Sequence, residues 1–443
     1  MSKSSFKTLI LIPVTIGILS GLVSAAFVET IKYCTDLFLV HFVGYTQPYP
    51  AGEGMQNDTY VFFMKHSYIL PISTCIGGLI SGLIVYKFAP EAAGIGTDAA
   101  IKAYHSDDAD LSLKASFVKF IASAITIGSG STSGKEGPIA LIGAGIGSFI
   151  AKIFNLDKKE RAIAFAIGLG SGVSAIFRAP LAGAIIASEI FYTEDFEMEP
   201  LVPGIIASIV SFSVYGYFFN FGTVFGTNIP VFDKLNIADF GIYAIFGIIC
   251  ALVSMFLVYT FFEINDLFKK IEIKSYYKTA IGGFLVGLIG LLNPIIIGNG
   301  YGWIQLILNG RIDIVNIYMI ASAIPLIVLS MSLTIGSGGS GGVFGPSLIT
   351  GGLTGAVFYF GLIWLFPSAH ISLQALVVIG MILVFGGATK APLSTIVLVS
   401  EMTHGYELLV PTLISIVVVM VMGHNRGIFP SQIEKRRDRL REI

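Results

Sequence analysis

GSGSTSGKEGP, residues 128–138, and GSGGSGGVFGP, residues 336–346, interrupt two long apolar stretches of this chain with glycine. The second segment begins 208 residues after the first and matches it at six of eleven positions, including the closing Gly-Pro. In a membrane protein, a pair of glycine-interrupted segments in two repeated halves indicates a binding site where the halves meet. Irregular backbone at membrane depth is tolerated only where protein buries it or where it lines a polar cavity.

The composition predicts an all-α membrane protein that crosses the bilayer many times. Of 443 residues, 54% are hydrophobic and only 12% are charged, whereas soluble domains carry about twice that share of charge. Six charge-poor segments are each near spanning length: 9–28, 68–86, 201–220, 240–262, 317–333 and 408–422. The short alternating segments of a membrane β-barrel are not found.

Charge and cysteine content predict neither a nucleic-acid partner nor a bound cofactor. The net charge is −1 and the sequence has no basic stripe of the kind that binds nucleic acid. Cys34, Cys75 and Cys250 are an odd set, scattered without disulfide or metal-ligand spacing.

The two ends of the chain carry positive charge. Lys3 and Lys7 precede an apolar run that also resembles a signal peptide. We favour a first spanning helix, because the run is long enough to cross and later segments have the same character. Residues 425–443 form a short basic tail, too short for an additional soluble domain. The positive-inside rule then predicts a multi-pass protein of the inner (plasma) membrane with both termini in the cytoplasm.

The repeat extends beyond the two glycine segments. Two short echoes recur 212 residues later: Ala-Pro-Leu at 179–181 and 391–393, and Ser-Glu at 188–189 and 400–401. We therefore predict one transmembrane domain over residues 1–443, with repeated halves at about 70–216 and 278–424. The residues themselves leave open whether these halves are parallel or inverted.

Each glycine segment ends in a Gly-Pro step, at Pro138 and at Pro346, and then continues into apolar sequence. Proline is favoured in the first turn of a helix, so both steps predict helix starts. A helix start leaves free backbone N–H groups and about half a unit of positive charge. Two such starts facing each other would hold a small anion and still release it, as conduction requires. The alternative is that the glycines only allow close helix packing.

Glu136 places a carboxylate in the first segment, directly before the predicted helix start. An acid inside the membrane is a functional hypothesis by default, because an unpaired charge there is costly. This carboxylate could occupy the amides that an anion would use and leave once protonated, so we predict that it gates the pathway. The alternative is an acid that pairs with the helix dipole or with Lys135. Phe344 is the matching residue of the second segment, so the halves differ there.

These motifs resemble those of the CLC family of chloride channels and proton-coupled chloride antiporters, over residues from about 70 to 431. GKEGP at 134–138 is similar to the family's GREGP motif, and GVFGP at 342–346 to its GxFxP motif. KAPL at 390–393 and SEMT at 400–403 are similar to further family stretches. The resemblance, to prokaryotic-type members without CBS domains, implies inverted halves and many tilted helices with breaks at mid-membrane. It also implies a homodimer in the lipid bilayer with one chloride pore per subunit.

The resemblance assigns roles to five residues of the two segments. Glu136 corresponds to the family's external gating glutamate. The backbone N–H groups of Val343 and Phe344 would hold the central anion, and those from Lys135 to Gly137 an outer anion. Lys135 would also attract anions to the outer mouth.

Two positions depart from the family pattern where anions are selected. Gly94 and Ile95 begin the stretch that corresponds to the family's GSGIP loop, and Ile95 replaces a serine hydroxyl, or the proline of plant nitrate relatives. Phe429 corresponds to a tyrosine whose hydroxyl contacts the central anion. We expect weak coordination and loose selectivity among monovalent anions, and fluoride stays open because fluoride-exporting relatives also replace the serine.

A third departure bears on mechanism. Well-studied antiporters of the family have two consecutive glutamates, of which the second relays protons from the cytoplasm; here the pair is Glu189-Ile190. Isoleucine cannot carry a proton, and channel members also have an apolar residue there. The substitution favours a passive channel, with proton-coupled chloride or fluoride antiport as the alternative.

Two further residues leave alternatives open. Lys119 lies in an apolar run, either facing the interior with a polar partner or snorkelling to the cytoplasmic side. Ser340, within a Gly-Gly-Ser-Gly stretch, superficially fits an intramembrane serine protease with His404 as its base. The repeat explains Ser340 better, so we predict a protein that is not an enzyme.

Overall fold

A computed structural model describes residues 7–54, 64–106, 109–226, 237–311, 314–367, 371–423 and 426–436. Helices occupy most of them, which confirms the all-α expectation. The α-helices, in chain order, are α1 (Ile12–Thr35), α2 (Leu70–Phe88), α3 (Gly96–Ser106), α4 (Leu113–Gly128), α5 (Glu136–Ile153), α6 (Lys158–Phe177), α7 (Pro180–Glu189), α8 (Leu201–Phe219), α9 (Ile237–Lys270), α10 (Ser275–Leu292), α11 (Tyr301–Leu308), α12 (Ile317–Gly336), α13 (Phe344–Leu365), α14 (Leu373–Thr389), α15 (Pro392–Thr403) and α16 (Leu409–Met422). Two short strands, β1 (Gly94–Ile95) and β2 (Ser340–Gly341), pair in parallel.

The helices have the dimensions and the surface of a membrane protein. Nine helical segments in the described part of the chain are long and apolar enough to cross a bilayer. Large apolar side chains also face outward, with Tyr217 82%, Trp364 81% and Val421 80% exposed. Such a surface would be unfavourable in water over a large area and is favourable against lipid. The prediction of a multi-pass membrane protein is confirmed.

Helices α2 and α10 pack through two equivalent contacts, in each of which a glycine of one helix faces a threonine carbonyl group of the other. A Cβ atom on Gly78 would lie 2.3 Å from the carbonyl oxygen of Thr279, and one on Gly283 would lie 2.2 Å from that of Thr74. Each glycine and each threonine has its counterpart 205 residues away. Small residues let the two backbones approach this closely, so the first helices of the repeated halves lie against each other.

The same pairing of glycines recurs behind each glycine segment. In one half, a Cβ atom on Gly143 of α5 would meet the carbonyl oxygen of Gly168 in α6 at 2.2 Å. In the other, one on Gly351 of α13 would meet that of Gly380 in α14 at 2.1 Å. The counterparts are 208 and 212 residues apart, which are the offsets of the sequence repeat. The repeat is thus visible in packing, while the exact limits of the halves stay a prediction.

Two glutamates tie the halves together by capping each other's helices. The carboxylate of Glu189, at the end of α7, accepts hydrogen bonds from the Leu393 and Ser394 amides in the first turn of α15. Glu401, near the end of α15, accepts hydrogen bonds of 3.1 and 2.8 Å from two amides in the first turn of α7. Each carboxylate satisfies N–H groups that have no partner within their own helix.

The described part of the C-terminal segment returns to the loop between α7 and α8. Thr193 donates a backbone hydrogen bond of 3.0 Å to Ile433, and the Arg436 guanidinium binds both carboxylate oxygens of Glu199 at 3.1 Å. These hydrogen bonds from Arg436 lower the pKa of the Glu199 carboxyl below its ordinary value. Residues 424–425 and 437–443 lie outside the described residues, and with them eight of the nineteen residues of the predicted basic tail.

Candidate anion-binding site

The two glycine segments are in direct contact. The amide of Gly134 donates a hydrogen bond of 2.8 Å to the carbonyl oxygen of Gly342. A Cβ atom on Gly137 would lie 2.8 Å from the Gly342 Cα atom, and one on Gly345 would lie 3.1 Å from the Gly134 Cα atom. These contacts leave no room for side chains, so the starts of α5 and α13 are held together by backbone against backbone.

Free backbone amides converge at this contact. Helix starts leave their first N–H groups without intrahelical acceptors, and here these belong to Glu136 and Gly137 on one side and to Phe344 on the other. Within the described residues, the amides of Gly137, Val343 and Phe344 make no hydrogen bond, and the Glu136 amide meets only its own carboxylate. Two helix starts in contact, each with backbone donors that lack an acceptor, are suited to hold a small anion.

One nearby amide is already occupied and is therefore not part of this pocket. Gly342 donates its N–H to the hydroxyl oxygen of Ser133 at 2.9 Å. The hydroxyl of Ser133 thus braces the second segment from the first. The available donors begin one residue later, at Val343, where the resemblance places them.

Glu136 lies inside this pocket and is fully buried. Its Oε1 atom accepts a hydrogen bond of 2.6 Å from the Tyr301 hydroxyl. Its Oε2 atom makes no hydrogen bond, and it sits 2.2 Å from where a Gly134 Cβ atom would be and 3.4 Å from where a Gly345 Cβ atom would be. The carboxylate therefore stands between the two helix starts.

Lys135 forms a buried ion pair with Glu53. The two side chains are only 3% and 7% exposed, and the ammonium group lies 5.9 Å from the centre of the Tyr301 ring. Glu53 belongs to a segment, residues 47–54, that contacts Lys135 and helix α11. Ala51 donates its amide to the Gln305 side chain of α11 at 3.1 Å. The predicted anion attractor thus already has a partner of opposite charge.

The short strand β1 brings the predicted GSGIP-like stretch to the same place. Gly94 and Ile95 pair with Ser340 and Gly341 of β2, immediately before the second set of amides. A Cβ atom on Gly96, the next residue, would lie 2.4 Å from the Gly137 carbonyl oxygen. The stretch is therefore wedged against the start of α5.

Lys119 faces the protein interior. Its side chain is fully buried, and its ammonium group donates hydrogen bonds to the carbonyl oxygens of Ala92 at 3.1 Å and Gly94 at 2.7 Å. The interior alternative is confirmed and the snorkelling alternative is wrong. A buried cation held by carbonyl oxygens fixes the backbone of β1, because each of these hydrogen bonds is charge-assisted.

The wall beyond Phe344 is aromatic. The ring of Phe344 lies 4.5 Å from that of Phe385 and 5.9 Å from that of Phe429, centre to centre. Phe429 is 2% exposed and thus belongs to this buried aromatic wall. A cavity of about 580 Å³ reaches Gly94 and Ile95 from the side of Asp98 and Lys102.

Ile190 is the one predicted residue that lies outside this cluster. It follows the end of α7, its side chain is 1% exposed, and its carbonyl oxygen accepts a hydrogen bond of 2.9 Å from the Gln432 side chain. Its position is apolar and closed, as its side chain would predict.

Among the described residues, the protease alternative has no base next to its nucleophile. The hydroxyl of Ser340 is within 2.9 Å of the Ser123 hydroxyl and donates to the Ala92 carbonyl oxygen at 3.1 Å. His404 is exposed at the end of α15. Among the described residues, the partners of Ser340 are structural.

Two residues of the site escaped prediction from sequence. Tyr301 and Glu53 lie about 165 and 82 residues from their partners Glu136 and Lys135. The Asn299-Gly300 turn before Tyr301, inside otherwise apolar sequence, is the only local signal that could have drawn attention to it. No pattern around Glu53 distinguishes it from a solvated loop acid.

Comparison with known families agrees with the motifs. The model of a family described as voltage gated chloride channel matches residues 77–424. A protein of Salmonella typhi, the H(+)/Cl(-) exchange transporter ClcA, is 29% identical over 419 residues, which are 90% of this chain and 82% of that protein. The protein of the same name from Salmonella paratyphi B is 28% identical and covers 92% of this chain and 83% of its own length.

Solved structures show the same fold. A slow cyanobacterial Cl-/H+ antiporter superimposes with a TM-score of 0.80 over 96% of both chains, at 19% identity. A CLC-type fluoride/proton antiporter superimposes with a TM-score of 0.81 over 98% of this chain and 100% of its own, at 20% identity. At these identities the likeness concerns the fold, with its helices broken at the glycine segments.

Proposed function

Because the chain belongs to the voltage gated chloride channel family, whose members transport anions across membranes, we propose that it exchanges chloride and similar monovalent anions for protons. Anions would cross between the starts of α5 and α13, and the Glu136 carboxylate would alternate with them at that place. The relatives named H(+)/Cl(-) exchange transporter, which match nearly the whole chain, support exchange over passive flow.

One observation carries this proposal: a buried carboxylate lies between two helix starts, and the repeated halves each contribute one of these starts with its free amides. The amides favour any negative guest, and the carboxylate and a chloride ion are alternatives for the same donors. Glu136 is fully buried and touches the place where Gly345 opens α13. Occupation of the site by the carboxylate and by an anion would therefore be mutually exclusive.

The exchange follows from protonation of this carboxylate. While ionised, the Glu136 side chain stands between the two helix starts and blocks the pathway. Once it takes up a proton, its attraction to the amides falls, and an anion can displace it. When the anion has left, the side chain releases its proton to the side of the membrane from which the anion entered, and it then returns. Each return links one proton to the movement of anions, so the same residue serves as gate and as proton carrier.

A passive channel gated by Glu136 is the second candidate, and Ile190 favours it. That residue is apolar and 1% exposed, so it cannot hand protons to Glu136 from the other side. Purified protein in a planar bilayer with symmetric chloride and a proton gradient separates the two. Exchange predicts a non-zero reversal potential, whereas a channel predicts a value of zero.

The composition of the site supports a loose preference among small monovalent anions. Ile95 and Phe429 offer no hydroxyl group, so backbone amides carry the coordination. We propose chloride as the ordinary substrate and fluoride as a competitor. One solved structure with this fold is that of a fluoride/proton antiporter. Flux assays with chloride, nitrate and fluoride in turn would rank the three.

We also propose a homodimer in the inner (plasma) membrane with cytoplasmic termini. The outer faces of α8 and α16 carry large exposed apolar residues, among them Ile209 at 49% and Val417 at 59%. These faces would pack against a second copy or against lipid. Mass determination in lipid nanodiscs tests the dimer.

A further inference from the structure

Tyr301 makes the one side-chain hydrogen bond to the proposed gate within the described residues. The residue opens α11 and is fully buried, and its hydroxyl donates to Oε1 of Glu136 at 2.6 Å. Hydrogen bonds from a hydroxyl to a carboxylate in this distance range are among the stronger ones in proteins. The hydroxyl and the carboxylate are both removed from bulk water, so neither has water as a ready substitute.

The position of the Tyr301 ring is set by its own surroundings. Gly300 adopts a left-handed conformation with a φ of 69°, and the Asn299 side chain accepts the Tyr301 amide at 3.3 Å. The ring of Phe225 packs edge-on at 5.7 Å. These contacts are independent of Glu136, so the hydroxyl would stay in place while the carboxylate moves.

Tyr301 also touches the second helix start. A Cβ atom on Gly345 would lie 3.4 Å from the Tyr301 hydroxyl, close to the Oε2 atom of Glu136. The Tyr301 hydroxyl therefore lies beside the start of α13, where the Glu136 carboxylate ends. It holds the carboxylate against α13 and thus across the contact between the halves.

We propose that Tyr301 is a positioning residue that latches the ionised Glu136 side chain in its blocking position. The inference rests on the proposed role of Glu136 as the gate and adds a residue to it. A hydrogen bond donated to the charged carboxylate favours the charged, blocking form. Opening requires that bond to break, so the latch determines how readily protons and anions release the gate.

Two charged side chains of the described residues, Lys135 and Glu53, also act on Glu136. Lys135 faces it from the start of α5, and Glu53 faces Lys135 from the segment 47–54. The start of α13 contributes Phe344 and Gly345, which carry no charge. Lys135 attracts the carboxylate and Glu53 offsets that attraction, so neither pins the side chain in the way that the directional bond from Tyr301 does.

The test replaces one hydroxyl. Tyr301→Phe keeps the ring and removes the donor, and Tyr243→Phe is the matched control, because the Tyr243 hydroxyl is also buried but has no hydrogen-bond partner. Chloride flux from liposomes is recorded between pH 4 and 8. Loss of the bond should raise flux at neutral pH about tenfold, a factor that corresponds to about 1.4 kcal/mol. The pH of half-maximal flux should move upward by about one unit, because less acid is needed to release the gate.

Glu136→Gln separates this inference from the proposed function. In a Glu136→Gln background, Tyr301→Phe should change nothing further, which would also show that the Phe variant folds. Tyr301→Phe behaving like wild type, while Glu136→Gln raises flux, would overturn the latch and leave the gate. If neither the wild type nor Glu136→Gln carries chloride, the proposed function itself fails. A rise in flux with Tyr243→Phe equal to that with Tyr301→Phe would also overturn the latch.

Discussion

The two glycine segments have similar backbone arrangements but different side chains. Both end in Gly-Pro, both start a helix, and each contacts the other through glycines at matching positions. The first segment carries Lys135 and Glu136, whereas the second carries Val343 and Phe344 at the same places. The free amides at the helix starts therefore depend on what the two halves have in common, and the proposed gate depends on where they differ.

This division has a physical reason. An anion needs donors from several directions, and two helix starts supply them best when both segments keep their backbone geometry. A gate needs only one group that can exchange with the anion. A second carboxylate at position 344 would place two like charges in one pocket, which is unfavourable when both are ionised.

The largest effect is expected from the residue that makes the segments different. Glu136→Gln cannot ionise, so it should raise chloride flux at neutral pH by about tenfold or more and remove most of its pH dependence. Phe344→Leu, at the matching position, is the control and should keep the pH response. Liposome flux across a pH series measures both variants. A pH response that survives in Glu136→Gln would exclude this carboxylate as the gate.

The shared backbone should be equally sensitive in both segments. A Cβ atom at Gly342 would lie 2.8 Å from the Gly134 carbonyl oxygen, and one at Gly134 would lie 2.7 Å from the Gly345 amide. Gly342→Ala and Gly134→Ala should each cost about 1–3 kcal/mol of stability and reduce flux, because backbone cannot yield cheaply. Gly361→Ala in α13 meets nothing within 4 Å and is the control. Thermal unfolding in detergent gives the comparison, and tolerance at either segment glycine would argue against a tight contact.

A smaller effect is expected from the ion pair that only the first segment makes. Glu53→Gln removes the negative partner of Lys135 and leaves the ammonium free to attract anions. Flux at low external chloride should rise about fivefold, which corresponds to about 1 kcal/mol of charge interaction, and should converge with wild type at high chloride. Asp36→Asn removes the same charge from an exposed residue nearby. Equal increases in both variants would point to general surface charge instead of the ion pair.

The smallest effect is expected in the second segment at Ser340. Its hydroxyl bonds to Ser123 and to the Ala92 carbonyl oxygen, so Ser340→Ala should cost about 1 kcal/mol of stability. Chloride flux should remain near the wild-type value, and Ser123→Ala should behave in the same way. Loss of all flux with intact folding would reopen a chemical role for this serine.

Much of the site could be predicted because its main parts are encoded locally. Gly-Pro steps in apolar sequence predict helix starts wherever they occur, and an acid directly before one is visible in the printed residues. The repeat then indicates that two such starts belong together. The structure places the start of α5 against the start of α13, and it adds β1 through contacts that the order of residues alone does not specify.

Mechanism was harder to predict from single positions. Ile190 favours a channel, whereas the matching relatives are named exchangers, and an apolar residue at one point on a proton route does not exclude another route. The identity of Ile190 shows that this side chain carries no proton, but it does not show whether the fold supplies another proton route. Lys119 is a second example, because the sequence did not show which carbonyl groups accept the hydrogen bonds of its ammonium group.

The sequence by itself determined the membrane class, the repeat, the two helix starts and the acid between them, because hydrophobic length, glycine, proline and charge act over a few neighbouring residues. Only the tertiary structure decided which amides remain free, that Ser133 accepts the Gly342 amide, and that Tyr301 and Glu53 contact Glu136 and Lys135. These contacts join residues far apart in the chain, and their existence depends on how the two halves pack against each other.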